Sequence, residues 1–163
     1  MASRVFVGFS SADKHYFDLM KAWKNHEHID FDFIDLQLNT GINSDNEDYI
    51  KRLLREKITS AGTFIQLIGS DTKSKHRYVR WEVEVAIEKN CRLIGVNLNK
   101  LMQIDGNLTP PILKDKGAMF VPFNAKIINY ALKNFVKETD KNWEYKKSVY
   151  DNLGIGNDGT RIS

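Results

Sequence analysis

Apolar runs of strand length alternate along this chain with segments whose apolar residues recur at helical spacing. Arg4-Val5-Phe6-Val7-Gly8-Phe9 is short, β-branched and aromatic, and Ser10-Ser11-Ala12-Asp13 ends it, so it reads as a first strand. Tyr16, Met20 and Trp23 then fall on one face of a helix. From Ile29 to Ile34, Asp30 and Asp32 alternate with Phe31 and Phe33, the pattern of an edge strand with one wet face. A polar loop from Asn39 to Asn46, containing Gly41, leads to a second helix marked by Ile50, Leu53, Leu54 and Ile58. Thr63-Phe64-Ile65-Gln66-Leu67-Ile68 is nearly continuous in apolar residues, as a central parallel strand should be, and Gly69-Ser70-Asp71-Thr72 ends it. A third helix is expected over about Tyr78 to Asn90. A fourth strand follows at Leu93-Ile94-Gly95-Val96 and a fifth at Ala118-Met119-Phe120-Val121, with Leu98 to Gly117 as loop between them. The last helix begins near Asn124 and carries Ile127, Ile128, Ala131, Leu132 and Phe135.

This alternation predicts a three-layer α/β fold. Five parallel strands in the order 2-1-3-4-5 carry helices on both faces. Residues 1–123 form the core of a single domain, 124–151 a C-terminal helix packed on it, and 152–163 a flexible Gly-rich tail. Ligands of such sheets bind outside the carboxyl ends of the strands, where the strand order switches. Here the switch point lies between the first and third strands. The residues brought to it are Phe9, Ser10, Ser11, Asp13, Asp35, Gly69, Ser70, Asp71 and the start of the third helix.

The third helix holds the most informative residue. At roughly 100° per residue with Glu82 at zero, Tyr78 falls near −40°, Val85 near −60°, Ala86 near +40°, Val79 near +60° and Val83 near +100°. Glu82 thus sits inside the apolar arc, whereas Glu84 and Glu88 lie on the opposite, polar face. An inward carboxylate needs a partner or a cleft. Either Glu82 pairs with an inward cation or escapes at the helix edge, or it lines a pocket with a tuned pKa.

Composition narrows the field. The chain has 163 residues, enough for one domain with a substantial core, and 42% of them are hydrophobic. No apolar run approaches the ~20 residues of a membrane span, and no signal peptide is seen, so a cytoplasmic protein is expected. Lys+Arg 24 against Asp+Glu 21 gives a net charge of only +3 with the signs interspersed. The cluster Lys73, Lys75, His76, Arg77 and Arg80 lacks a nucleic-acid motif and reads as a solvated loop and helix start. The single cysteine, Cys91, excludes an internal disulfide and reads as a small buried hydrophobe. His26 and His28 are two apart on a helix end and make a poor metal pair. Gly154-Ile155-Gly156-Asn157-Asp158-Gly159 spells the dinucleotide fingerprint, but it neither follows a first strand nor has room to open a helix. The sequon Asn107-Leu108-Thr109 is followed by proline.

Four pieces, in order, resemble the bacterial TIR-like domains of the Thoeris ThsB type. They are Ser3-Arg4-Val5-Phe6-Val7-Gly8-Phe9-Ser10 with Asp13 beyond, Leu67-Ile68-Gly69-Ser70-Asp71-Thr72, Arg77-Tyr78-Val79-Arg80-Trp81-Glu82-Val83, and Ala86-Ile87-Glu88-Lys89-Asn90 leading into Leu93-Ile94-Gly95-Val96. The similarity covers about residues 3–123. It implies a flavodoxin-like fold and, as in many TIR domains, cleavage of NAD+ at the nicotinamide–ribose bond. The family's catalytic glutamate follows an aromatic on the third helix, a position matched by Trp81-Glu82. The resemblance further implies an anti-phage role with a cyclic or otherwise rearranged ADP-ribose signal. That signal would activate a partner effector, with possible self-association through TIR contacts. No cofactor or metal is implied, since NAD+ is the substrate. Around Glu82, Phe9 could stack on a ring of the substrate, and Ser10 and Ser11 could bond ribose or phosphate oxygens. Asp13, Asp35, Ser70, Asp71 and Trp81 complete the candidate substrate-binding set, although plain turn, cap and packing roles account for most of these equally well. Two other readings stand beside the enzyme. One is a non-catalytic TIR-like scaffold. The other is a phospho-receiver, which would need a lysine after the fifth strand, where Val121-Pro122-Phe123 offers none.

Overall fold

A computed structural model describes residues 3–27, 29–36, 46–58, 62–74 and 76–156. Gly41 with most of its loop, His28, Lys75 and the end of the tail lie outside the described residues. The elements are β1 (Ser3–Gly8), α1 (Lys14–His26), β2 (Phe31–Asp35), α2 (Glu47–Lys57), β3 (Thr63–Ile68), α3 (His76–Glu88), β4 (Arg92–Asn97), β5 (Met119–Pro122), α4 (Ala125–Asn134), β6 (Trp143–Glu144) and α5 (Lys147–Asn152). The strands form one sheet in the order β2-β1-β3-β4-β5-β6, and every pairing is parallel.

The predicted class and the order 2-1-3-4-5 are present, but the sheet has six strands rather than five. The added strand is two residues long. It lies on the outer edge of β5, where Met119 faces Trp143 and Phe120 faces Glu144. The alternation Asn142-Trp143-Glu144-Tyr145-Lys146 around it spans too few residues to announce a strand.

Two hydrophobic cores fill the two faces of the sheet. Val5, Val7, Ile65, Leu67, Ile94 and Val96 pack toward α1 and α4, beneath Phe17, Met20, Ile127 and Ala131. Phe6, Phe64, Ile68, Leu93 and Phe120 pack toward α2 and α3, beneath Ile50, Leu54, Val79, Val83 and Ala86. The period-two alternation of a strand makes this division. All six residues of β3 are buried, as its composition requires.

Helix ends follow local chemistry. Asn46 caps α2 by accepting from Tyr49 N, and Asn124 caps α4 by accepting from Lys126 N and Ile127 N. After α3 the chain turns on Asn90, which adopts φ +57°, while Cys91 N donates to Ala86 O at 3.0 Å.

Segment 124–151 is not the one helix expected. α4 stops at Asn134 because Phe135 becomes extended and buries its side chain, and Arg92 donates to Phe135 O and Leu132 O at 2.6 and 2.9 Å. β6 and α5 follow. Nor does a loose tail begin at Asn152. That residue ends α5, Gly154 takes φ +70°, and Ile155 returns to the first core with 1% exposure. The first glycine of the false fingerprint is thus a helix stop.

Candidate functional site

Glu82 lies in the middle of α3 and is 7% exposed, so the inward placement predicted by the wheel holds. Glu84 and Glu88 face outward and pair with cations, Arg80 to Glu84 at 2.7 Å and Arg55 to Glu88 at 2.6 Å. Glu82 behaves differently. Its Oε2 is buried with no hydrogen-bond partner among the described residues. Burial pushes its carboxyl up to about 8, Asp35 adds to the rise by repulsion, and Lys57 opposes it. A carboxyl in this state is neutral at pH 7 and ionises when a positive charge approaches.

The surrounding elements fix this carboxyl. Asp35 is the last residue of β2, paired in register with Val7 of β1. Lys57 ends α2, and its Nζ donates to Asp35 O at 2.9 Å. α2 is tied to α3 by Lys51 with Glu84, by Arg55 with Glu88, and by Trp81 Nε1 donating to Glu47 Oε1 at 2.7 Å. The aromatic beside Glu82 therefore braces α3 against α2. Of the expected substrate-binding residues, Asp35 is the one whose charge acts on Glu82.

A second group gathers at the ends of β1 and β3. A methyl group at Gly69 would lie 2.4 Å from Asp13 Oδ2, so the glycine is what lets this carboxylate approach the strand. Burial and the nearby Asp71 raise Asp13 above the usual carboxylate range, and His15 opposes them. Ser10 is buried, and its Oγ has no partner among the described residues. Thr72 closes the turn after β3, its Oγ1 accepting from Gly69 N at 2.8 Å.

The remaining expected residues stand apart. Phe9 is buried on the α1 side, its ring stacked on Phe17 with centroids 5.1 Å apart, in the core opposite the one that surrounds Glu82. Ser11 and Ser70 are exposed turn residues. A cavity of about 350 Å³ between α3 and the turn at Pro110–Ile112 is lined by Lys73, Val79, Arg80, Pro110, Pro111 and Ile112, and includes no expected site residue.

Sequence reasoning missed Lys57 and Gln66. Lys57 carries no signal of its own, since a cation in the last turn of a helix is ordinary. Gln66 left a clear signal as the single amide in the apolar run of a central strand, and it is fully buried.

Comparison with known families completes the site's setting. The model for the Thoeris protein ThsB, TIR-like domain, matches residues 6–103. The chain belongs to this family. The matched region runs from β1 past β4 and contains every candidate site residue, Glu82 included. Membership ties this TIR-like domain to anti-phage defence. No curated protein matches the chain. Among the described residues, no helix is long and apolar enough to cross a membrane.

Proposed function

We propose that this TIR-like domain cleaves NAD+ at the nicotinamide–ribose bond, with Glu82 as the catalytic carboxylate. The cleavage yields a cyclic ADP-ribose-type signal that activates a partner effector during phage infection. The observation that carries this reading is the buried Glu82 carboxyl, held neutral by desolvation and lacking a partner for Oε2.

The chemistry asks for little more than one such group. The nicotinamide of NAD+ is a cationic leaving group. When its bond to the ribose breaks, the electron pair stays on the ring nitrogen and neutralises it. No general acid is required. The ribose carbon becomes oxocarbenium-like, as at a glycosidase. A carboxylate beneath the ribose stabilises that charge and accepts hydrogen bonds from the hydroxyls. The cationic ring itself favours ionisation of Glu82, so the charge appears when substrate arrives. The nucleophile sets the product. Water gives ADP-ribose, and an internal hydroxyl or adenine nitrogen gives a cyclic form, the nucleophile's proton passing to solvent.

The test is the product's mass. The protein is incubated with NAD+ in lysate from infected cells, and nucleotides are resolved by chromatography. A product one water lighter than ADP-ribose supports cyclisation, and ADP-ribose alone reduces the reading to hydrolysis. NAD+ left intact, with an intact fold, overturns the enzyme and favours a non-catalytic scaffold.

A further inference from the structure

Gln66 sits at the centre of β3 with 0% exposure. Its Nε2 donates to Gly8 O at 3.1 Å and to Leu67 O at 3.0 Å. Both partners are carbonyls, so only the nitrogen end of the amide can face them, and its orientation is forced. Oε1 is then a pure acceptor. It is buried and meets no donor among the described residues. Native proteins rarely leave such a group unpaired, and where they do the exception asks for a cause.

Its place in the fold suggests one. Gln66 alternates with Phe64 and Ile68, so it faces the α2–α3 side of the sheet, in the same core as Val79, Val83 and Ala86 of α3. Glu82, with its own unpartnered Oε2, projects from α3 within the same buried arc. A methyl group at Gly8 would lie 3.0 Å from Gln66 Oε1 and 3.0 Å from the Phe64 ring. The amide oxygen therefore lies against the last residue of β1, at the carboxyl end of the strands where ligands of such sheets bind.

We propose that Gln66 is a substrate-binding residue whose Oε1 accepts a hydrogen bond from an N–H or O–H group on the nicotinamide riboside half of the dinucleotide. This inference rests on the NAD+ reading and names a residue that reading does not require. The chemistry suits the place. The carboxamide and the ribose hydroxyls are neutral donors, and a neutral acceptor pairs with them without adding a second negative charge beside Glu82. The two backbone bonds of Nε2 hold the acceptor rigid, so little freedom is lost when the donor arrives.

The experiment measures binding to Glu82→Gln protein, which spares the substrate. Calorimetry is run with NAD+, with its 3-acetylpyridine analogue, which lacks the carboxamide N–H, and with the analogue lacking the 2′-hydroxyl of the nicotinamide ribose. The same three titrations follow on Glu82→Gln/Gln66→Leu, with Gln66→Met in its place if the leucine variant does not fold. The parent should prefer NAD+ over one analogue by about tenfold, the scale of one buried hydrogen bond. The Gln66 variant should lose that preference while still binding the deficient analogue as the parent does. Whichever analogue shows this identifies the donor. Preferences that survive in the variant, or an equal loss for all three ligands, would overturn the inference and leave Gln66 as a brace between β1 and β3. Failure of the parent to bind NAD+ at all would remove the NAD+ reading and this inference with it.

Discussion

The neutral Glu82 carboxyl has a consequence that needs no substrate. In the unfolded chain this group ionises with an ordinary carboxyl value near 4.5, whereas in the fold burial holds it up to about 8. Between those values the folded state binds the proton that the unfolded state has lost. Stability contributed by this group is therefore fully present below about pH 4.5 and is lost as pH rises toward 8. Each step of one in pH across that window removes about 1.4 kcal/mol, so the loss is about 3 kcal/mol at pH 7 and approaches about 5 kcal/mol above pH 9. That is a large fraction of the ~5–15 kcal/mol that holds a typical domain together. Glu82→Gln keeps the shape and cannot ionise. It should match the wild type near pH 4 and exceed it by about 3 kcal/mol at pH 7. Urea unfolding of both proteins from pH 4 to 9 reads the difference directly. Parallel stability curves across that range would refute the argument, because they would mean that Glu82 ionises freely in the fold.

Three further substitutions test the frame that positions the site. Gly95→Ala places a methyl group 2.7 Å from the Phe120 ring between β4 and β5, and should destabilise by about 2 kcal/mol in urea. A neutral effect would show that the Phe120 ring yields easily. Arg92→Lys gives up the fork that reaches Thr63 Oγ1, Leu132 O and Phe135 O, and should lower stability by about 2 kcal/mol, with the end of α4 losing amide protection first. Arg55→Ala breaks an exposed pair with Glu88 and should leave the urea midpoint nearly unchanged, with any small loss shrinking further in high salt. A large drop in the midpoint there would mean that the α2–α3 ion pairs carry the packing that we assign to Ile50, Leu54 and Val83.

Much of this architecture was legible because each strand before β6 and each helix before α5 carries its own period. The β3 run and the α3 wheel were enough to set the sheet's centre and the inward face of Glu82. β6 and α5 were not legible, since two residues of strand and six of helix offer too few positions for a period, and their place depends on tertiary pairing with Ala118 and Tyr150 burial. The site was legible only in part for a similar reason. Local pattern puts Phe9 at a strand end, but its side of the sheet is decided by alternation through Val5 and Val7, and that sends the ring to Phe17. Lys57 is separated by 25 positions from Glu82, so no window of sequence joins them.

Nicotinamide release is the most direct measure of the central claim. Wild-type protein and Glu82→Gln are incubated with NAD+ in infected-cell lysate over pH 6 to 9, and free nicotinamide is quantified. At NAD+ far below saturation, where the profile reports the free enzyme, release by the wild type should rise with pH toward the Glu82 value of about 8, and Glu82→Gln should lose at least about a hundredfold while melting no lower than the wild type. Equal release by the two proteins would contradict the account, since the buried carboxyl of α3 would then have no part in breaking the bond.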